Sequence, residues 1–184
     1  MRGLDPAFGS HPGDNPPAMS RERAIAHAER YFDEGGLFAD LARRVAIPTE
    51  SQNPERDAEL SRYLTAEMQP SFERLGFKCR VLANPLPKSG PFLLAERIED
   101  PSLVTVFSYG HGDVVRGQEN SWRAGLDPWI LKREGDRLYG RGTADNKGQH
   151  TINLAAMAAV LAVRGRLGFN LKILVETGVE VGSP

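Results

Sequence analysis

The sequence predicts an α/β fold in which a mixed β-sheet is flanked by helices, an antiparallel part preceding a parallel crossover. Three observations predict it. Through the first part of the chain, apolar residues recur at helical spacing: Ala24, Ile25, Ala28 and Tyr31, then Leu37, Leu41 and Val45, then Leu60, Leu64, Met68 and Phe72. From Gly76 onward the rhythm changes to short runs rich in β-branched and aromatic residues. The last part reads strand, glycine-rich turn, apolar helix, strand, the order of a parallel crossover.

Residues 1–19 are dense in Pro and Gly and lack periodicity, so they are expected to be a disordered tail or a remnant of cloning, with one domain over 20–184. His11 in that tail reads as a solvated bystander. Ser20 is the expected N-cap of a first helix stopped by Gly35-Gly36. A second helix ends before Pro48, and Pro54 opens a third after a polar loop. The Met and aromatic positions on these helices read as core. Phe77–Leu82 and Phe92–Ile98 are expected strands of a hairpin, with Cys79 a small packing residue. Leu103–Ser108 reads as a buried strand, and Trp129–Tyr139 as two short strands around Glu134-Gly-Asp136. A helix is expected over Gln149–Val163, burying Ile152, Ala155, Ala156, Ala159 and Val160, before a strand over Leu171–Val175.

Charge narrows the function classes. Lys and Arg number 23 against 24 Asp and Glu, so no global field recruits nucleic acid or an anionic membrane. No run approaches the roughly 20 apolar residues that span a bilayer. The single cysteine marks no oxidising compartment and no secretory leader is visible. The expectation is a cytoplasmic protein with no nucleic-acid or membrane partner.

The chemistry gathers at strand ends. His111 and Asp113 stand two apart after the central strand, and in extended geometry their side chains share a face. An imidazole beside a carboxylate suits a metal, because the acid fixes the ring while the other nitrogen binds. The same pair could also merely cap a loop. Asp145 lies in the glycine-rich turn Gly140–Gly148, where it could equally be an acid stabilising a helix N-terminus. Glu180 follows the last strand. Imidazole and carboxylates without thiols suit zinc, cobalt or manganese. A carboxylate shared by two ions would give a centre that polarises a carbonyl and activates water, with another carboxylate taking the proton. Rival readings fail on inspection. Gly140-Arg-Gly-Thr-Ala-Asp145 places a carboxylate where a dinucleotide fingerprint needs glycine, and it would repel a pyrophosphate. Lys147-Gly148 is not the Gly-Lys-Ser/Thr of a phosphate loop, and no Gly-x-Ser-x-Gly is present.

Taken in order, His111-Gly-Asp113, Tyr139-Gly-Arg-Gly-Thr-Ala-Asp-Asn-Lys-Gly148 and Glu176-Thr-Gly-Val-Glu-Val-Gly-Ser-Pro184 resemble the M20 family of metallopeptidases and deacylases. That family includes dipeptidase, carboxypeptidase and acetylornithine deacetylase-like enzymes, and the resemblance runs from about Leu37 to the end. It implies a zinc-peptidase-like αβα sandwich, truncated here to the N-terminal part of the catalytic domain, without the lid or dimerisation domain and the C-terminal part. It implies hydrolysis of peptide or N-acyl amide bonds in small peptides or N-acyl amino acids, two zinc ions (cobalt or manganese as alternatives), and a homodimer in the intact protein. By this resemblance His111 ligates one metal, Asp113 orients it, Asp145 bridges both with a cis bond to Asn146, and Glu180 ligates the other. The position of the family's general base holds Val179, which cannot accept a proton. Losing a general base costs about 10²- to 10⁴-fold in rate. Glu176 is not expected to substitute. The competing expectation is therefore an inactive fragment or pseudo-enzyme that lacks the general base and part of the metal site. Lys147 and Arg164 read as helix-surface charges, His27 and His150 as ordinary helix positions, and Arg116, Trp122 and Arg141 as cleft neighbours without an assigned role.

Overall fold

A computed structural model describes residues 17–86 and 89–183. Of the expected tail, residues 1–16 lie outside the described residues, as do Pro87 and Lys88 of the expected hairpin connection. Helix α1 (Pro17–Asp33) begins three residues before Ser20, with proline at the first helical position, where its missing N–H costs no bond. Gly35 turns the chain at φ +83°, a conformation open to glycine, into α2 (Gly36–Val45), which buries Leu41 and Val45 as the periodicity predicts. Asn53 caps the short turn Pro54–Arg56, which feeds α3 (Asp57–Arg62). The helix then widens to π geometry over Tyr63–Met68 and resumes as α4 (Gln69–Glu73). Pro70 follows the widened stretch and has no amide to donate into the preceding turn.

Strand β1 (Lys78–Leu82) pairs antiparallel with β2 (Phe92–Arg97) as the expected hairpin. After β3 (Thr105–His111) come the small two-stranded sheet of β4 (Lys132–Glu134) and β5 (Arg137–Tyr139), helix α5 (Lys147–Arg164) and β6 (Asn170–Glu176). The main sheet has the order β1-β2-β6-β3, antiparallel between β2 and β6 and parallel between β6 and β3. The chain is thus an α/β fold with a mixed sheet and helical packing. Leu93, Ala95, Ile173 and Val175 share one sheet face and form the core with Leu64, Met68 and Phe72 of the helical stretch and Leu154 of α5. A fully buried side chain of this kind contributes about 1.5–3 kcal/mol. Among the described residues, no helix is long and apolar enough to cross a membrane.

The strand expected to be buried over Leu103–Ser108 is instead exposed at Val104, Val106 and Phe107, because it lies at the end of the strand order, and two further expectations shift in ways that matter for the site. β3 runs three residues past Ser108, because its parallel ladder with β6 continues to the pair His111–Glu176. His111 is therefore a strand residue rather than a loop residue. Helix α5 starts at Lys147 and turns inward Leu154 and Ala159 together with the polar Lys147, His150 and Thr151. Ile152 is 59% exposed and Ala156 is also exposed, contrary to the apolar stripe read from the sequence. Lys147, expected on the surface, has no exposed area.

Candidate metal centre

Each candidate side chain stands at the end of a regular element. His111 closes β3 and is 7% exposed; the chain then carries Asp113, with no exposed surface. Glycine at 110 lets the strand approach α5, since a Cβ there would lie 2.7 Å from Cε1 of His150. Asp145 sits at the exposed tip of the turn before α5, and its peptide bond to Asn146 is cis. Glu180 occupies a single 3-10 turn, Val179–Val181, just past β6.

These elements bring three ligand atoms together. One atom each from His111, Asp145 and Glu180 lies within 4.8 Å of the others. Nε2 of His111 is 2.9 Å from Oδ1 of Asp145. Its Nδ1 is 3.0 Å from the carbonyl oxygen of Asp113 and 3.3 Å from Oδ1 of the same residue. The Asp113 carboxylate does more than face the ring. It accepts hydrogen bonds from Oγ of Ser51 at 2.6 Å and from the backbone N–H groups of Val179 at 3.2 Å and Glu180 at 3.0 Å. One buried acid therefore ties the histidine to the turn that carries Glu180.

The electrostatics favour positive charge at this point. Burial works against a charged His111, but the hydrogen bonds and charge of Asp113, joined by Asp145, outweigh it and raise the ring's pKa to about 9. Burial also opposes ionisation of Asp113, yet His111, Ser51 and the Glu180 amide hold its carboxyl below the usual range. Glu180 is pushed up, first by burial and then by the neighbouring Asp113 and Asp145, with His111 and Arg141 pulling the other way. A ring held by two carboxylates, with a third carboxylate at the same point, is a donor set that fits a divalent cation.

Sequence reasoning missed the loop that braces this cluster. Thr49 Oγ1 donates to the carbonyl of Gly112 at 2.7 Å, Val114 N–H donates to Thr49 O at 2.8 Å, and Gln52 Nε2 donates to Glu180 O at 3.0 Å. Its only sequence signal was polarity, which a solvated loop shares. His150, read as an ordinary helix position, is buried; its Nε2 hydrogen-bonds the His111 carbonyl at 2.7 Å, and burial lowers its pKa to about 4. Lys147 donates from Nζ to Ile47 O at 2.6 Å and faces the rings of Tyr63 and Trp129. Burial lowers its pKa to about 7, against the attraction of Asp113 and Glu59. Arg141 stacks on Trp122 and donates to Gly117 O, while exposed Arg116 donates to Gln52 O. Glu176 accepts from the hydroxyls of Tyr109 and Ser183. Val179 contributes its backbone N–H to Asp113 and brings no side-chain acceptor.

The profile of Peptidase family M20/M25/M40 matches residues 107–183, the stretch that holds all three ligand candidates. That stretch is an M20 peptidase segment. In sequence, the chain is 31% identical over 183 residues to the Beta-Ala-His dipeptidase of Homo sapiens, covering 92% of the chain and 34% of that protein. It superposes on human carnosine dipeptidase 1 with a TM-score of 0.78 at 32% identity, covering 88% of this chain and 35% of that one. On the M20 family metallo-carboxypeptidase Sso-CP2 from Sulfolobus solfataricus the TM-score is 0.67 at 28% identity, covering 80% and 32%. The chain spans about a third of the length of each of these three proteins.

Proposed function

We propose that the protein is a divalent-metal-dependent hydrolase of peptide or N-acyl amide bonds, with His111, Asp145 and Glu180 as its metal ligands. The observation that carries this reading is the convergence of one imidazole and two carboxylates within 4.8 Å, inside the family-matched stretch. Zinc suits this set best, with cobalt or manganese as alternatives, and by the family pattern two ions would share Asp145. Bound there, a cation of this kind supplies Lewis acidity toward a scissile carbonyl and a water molecule.

The chain's own residues do the rest. Asp113 orients the His111 ring and, through the amides of Val179 and Glu180, sets the approach of the Glu180 turn. Residues 20–184 form the N-terminal part of a catalytic domain in this reading, and the longer protein would add the lid or dimerisation domain and act as a homodimer. Small peptides are the favoured substrates because the relatives named above are dipeptidases and a carboxypeptidase; N-acyl amino acids are the alternative. Cytoplasm is the proposed compartment.

A second reading has its own observation. At the expected general-base position, Val179 commits its N–H to Asp113 and offers no side chain able to take a proton. This favours a pseudo-enzyme that retains the cation site. Dipeptide hydrolysis measured with added zinc, after EDTA, and in Val179→Glu separates the readings. The hydrolase reading expects EDTA-sensitive turnover that rises about 10²-fold or more in Val179→Glu. Turnover indifferent to EDTA would refute metal dependence. Zinc binding without turnover in either protein would establish the pseudo-enzyme.

A further inference from the structure

We propose that Lys147 is a positioning residue for the cation site, holding the Asp145 turn against the loop that braces His111 and Glu180; this rests on the metal reading above.

Asp145 is 69% exposed at its side chain. The turn is held by Thr143 N–H and Oγ1 to Gly140 O, by Gly148 N–H to Gly142 O and by Gln149 Nε2 to Ala144 O, and at its start Arg141 N–H donates to Pro128 O; none of these bonds reaches the loop that braces His111 and Glu180. Two residues beyond Asp145, the Lys147 side chain leaves the turn and enters the core, passing so close to Gly142 that a Cβ there would lie 3.0 Å from its Cδ. Its Nζ ends 2.6 Å from the carbonyl of Ile47. Ile47 opens the bracing loop, in which Thr49 grips Gly112, Ser51 grips Asp113 and Gln52 grips Glu180. Lys147 therefore links the third ligand to the segment that fixes the other two.

Stability alone does not account for a lysine here. A buried ammonium carries a desolvation cost, and exchange of buried charge for an apolar side chain of similar size is often neutral or stabilising. Around this Nζ stand one carbonyl and the faces of Tyr63 and Trp129, with the charges of Asp113 and Glu59 farther off; a methionine would pack against the same rings and forgo only the carbonyl bond and these attractions. A residue that is unfavourable for stability yet central to a site's geometry points to a functional reason for its presence.

The test compares wild type, Lys147→Met and the core variant Leu167→Ala by thermal melting, cobalt titration and metal-free amide hydrogen exchange over residues 140–148. The expected result is that Lys147→Met melts near wild type, binds cobalt about 10- to 100-fold more weakly, the range seen when groups behind metal ligands are removed, and exchanges faster in that segment. Leu167→Ala is expected to melt lower with unchanged cobalt affinity. If Lys147→Met proves destabilised and loses no more affinity than Leu167→Ala at a matched melting loss, Lys147 is merely structural and the proposal falls. If wild type takes up no cobalt, the metal reading fails by itself, and unchanged exchange over 140–148 in Lys147→Met would then overturn the positioning role separately.

Discussion

Asp113 accepts from Ser51 and from two backbone amides while lying against His111, so a single buried carboxylate fixes the orientation of several site groups. Its pairing with His111 was legible in the sequence, because two residues apart in an extended segment is a local relation. Ser51 was not, because it comes from a distant polar loop that only the fold brings near. Val179 was legible as a departure from the family motif; its backbone bond to Asp113 was not, because it joins residues 66 apart in the chain. Cys79 illustrates a residue whose bland reading the structure sharpens. It packs against the core cluster, and burial, helped by the charge of Glu73, pushes its thiol up to about 11. Burial penalises the thiolate, so at pH 8 about one thiol in a thousand is ionised, against about one in four for an unperturbed pKa near 8.5. Native Cys79 is predicted to react with a disulfide reagent at pH 8 about 10²-fold more slowly than the urea-unfolded chain, accelerating about tenfold per pH unit up to pH 10. Equal native and unfolded rates would show that burial does not control this thiol.

At the scale of elements, α5 shows where pattern reading stops. Its existence follows from a long run of helix formers after a glycine turn, but its buried stripe does not. Counting apolar residues puts Ile152 inside, whereas the real inward face uses Lys147, His150 and Thr151 for contacts with the site and with Arg44. Polar anchoring rotates the helix, and Leu154 becomes its core residue. Leu154→Ala is accordingly predicted to cost about 2–5 kcal/mol in urea unfolding, and Ile152→Lys less than about 0.5 kcal/mol. The reverse ranking would mean that the helix packs on the face read from periodicity alone. The extension of β3 has a similar origin: Gly110, beyond the expected strand end at Ser108, is what lets His150 reach the strand's last carbonyl.

Across the whole molecule, the sheet is unevenly covered. Its core face packs on helices, while the opposite face presents Phe107 at 62% and Tyr109 at 53% exposure on β3, which ends the strand order. An exposed apolar face beside an unpaired edge favours association. The 184-residue chain on its own is predicted to bind a hydrophobic dye and to self-associate in sedimentation at micromolar concentration. Phe107→Glu should lower both signals while moving the melting temperature by less than about 2 °C. A monomer that ignores the dye would contradict this picture of the surface. The mixed α/β order was legible from the alternation of periods; which sheet face stays open depends on the strand order and register, which the local pattern does not encode.

His111, Asp145 and Glu180 are proposed here to form a divalent-cation site. Titration of the metal-free chain with cobalt, followed by its visible absorption, tests it most directly when run beside His111→Ala. A saturable band is expected in wild type, with a loss of affinity in His111→Ala of at least about 100-fold, beyond the about 10- to 100-fold expected for groups behind the ligands. A wild-type chain without saturable binding, or a variant that binds as tightly as wild type, would contradict it.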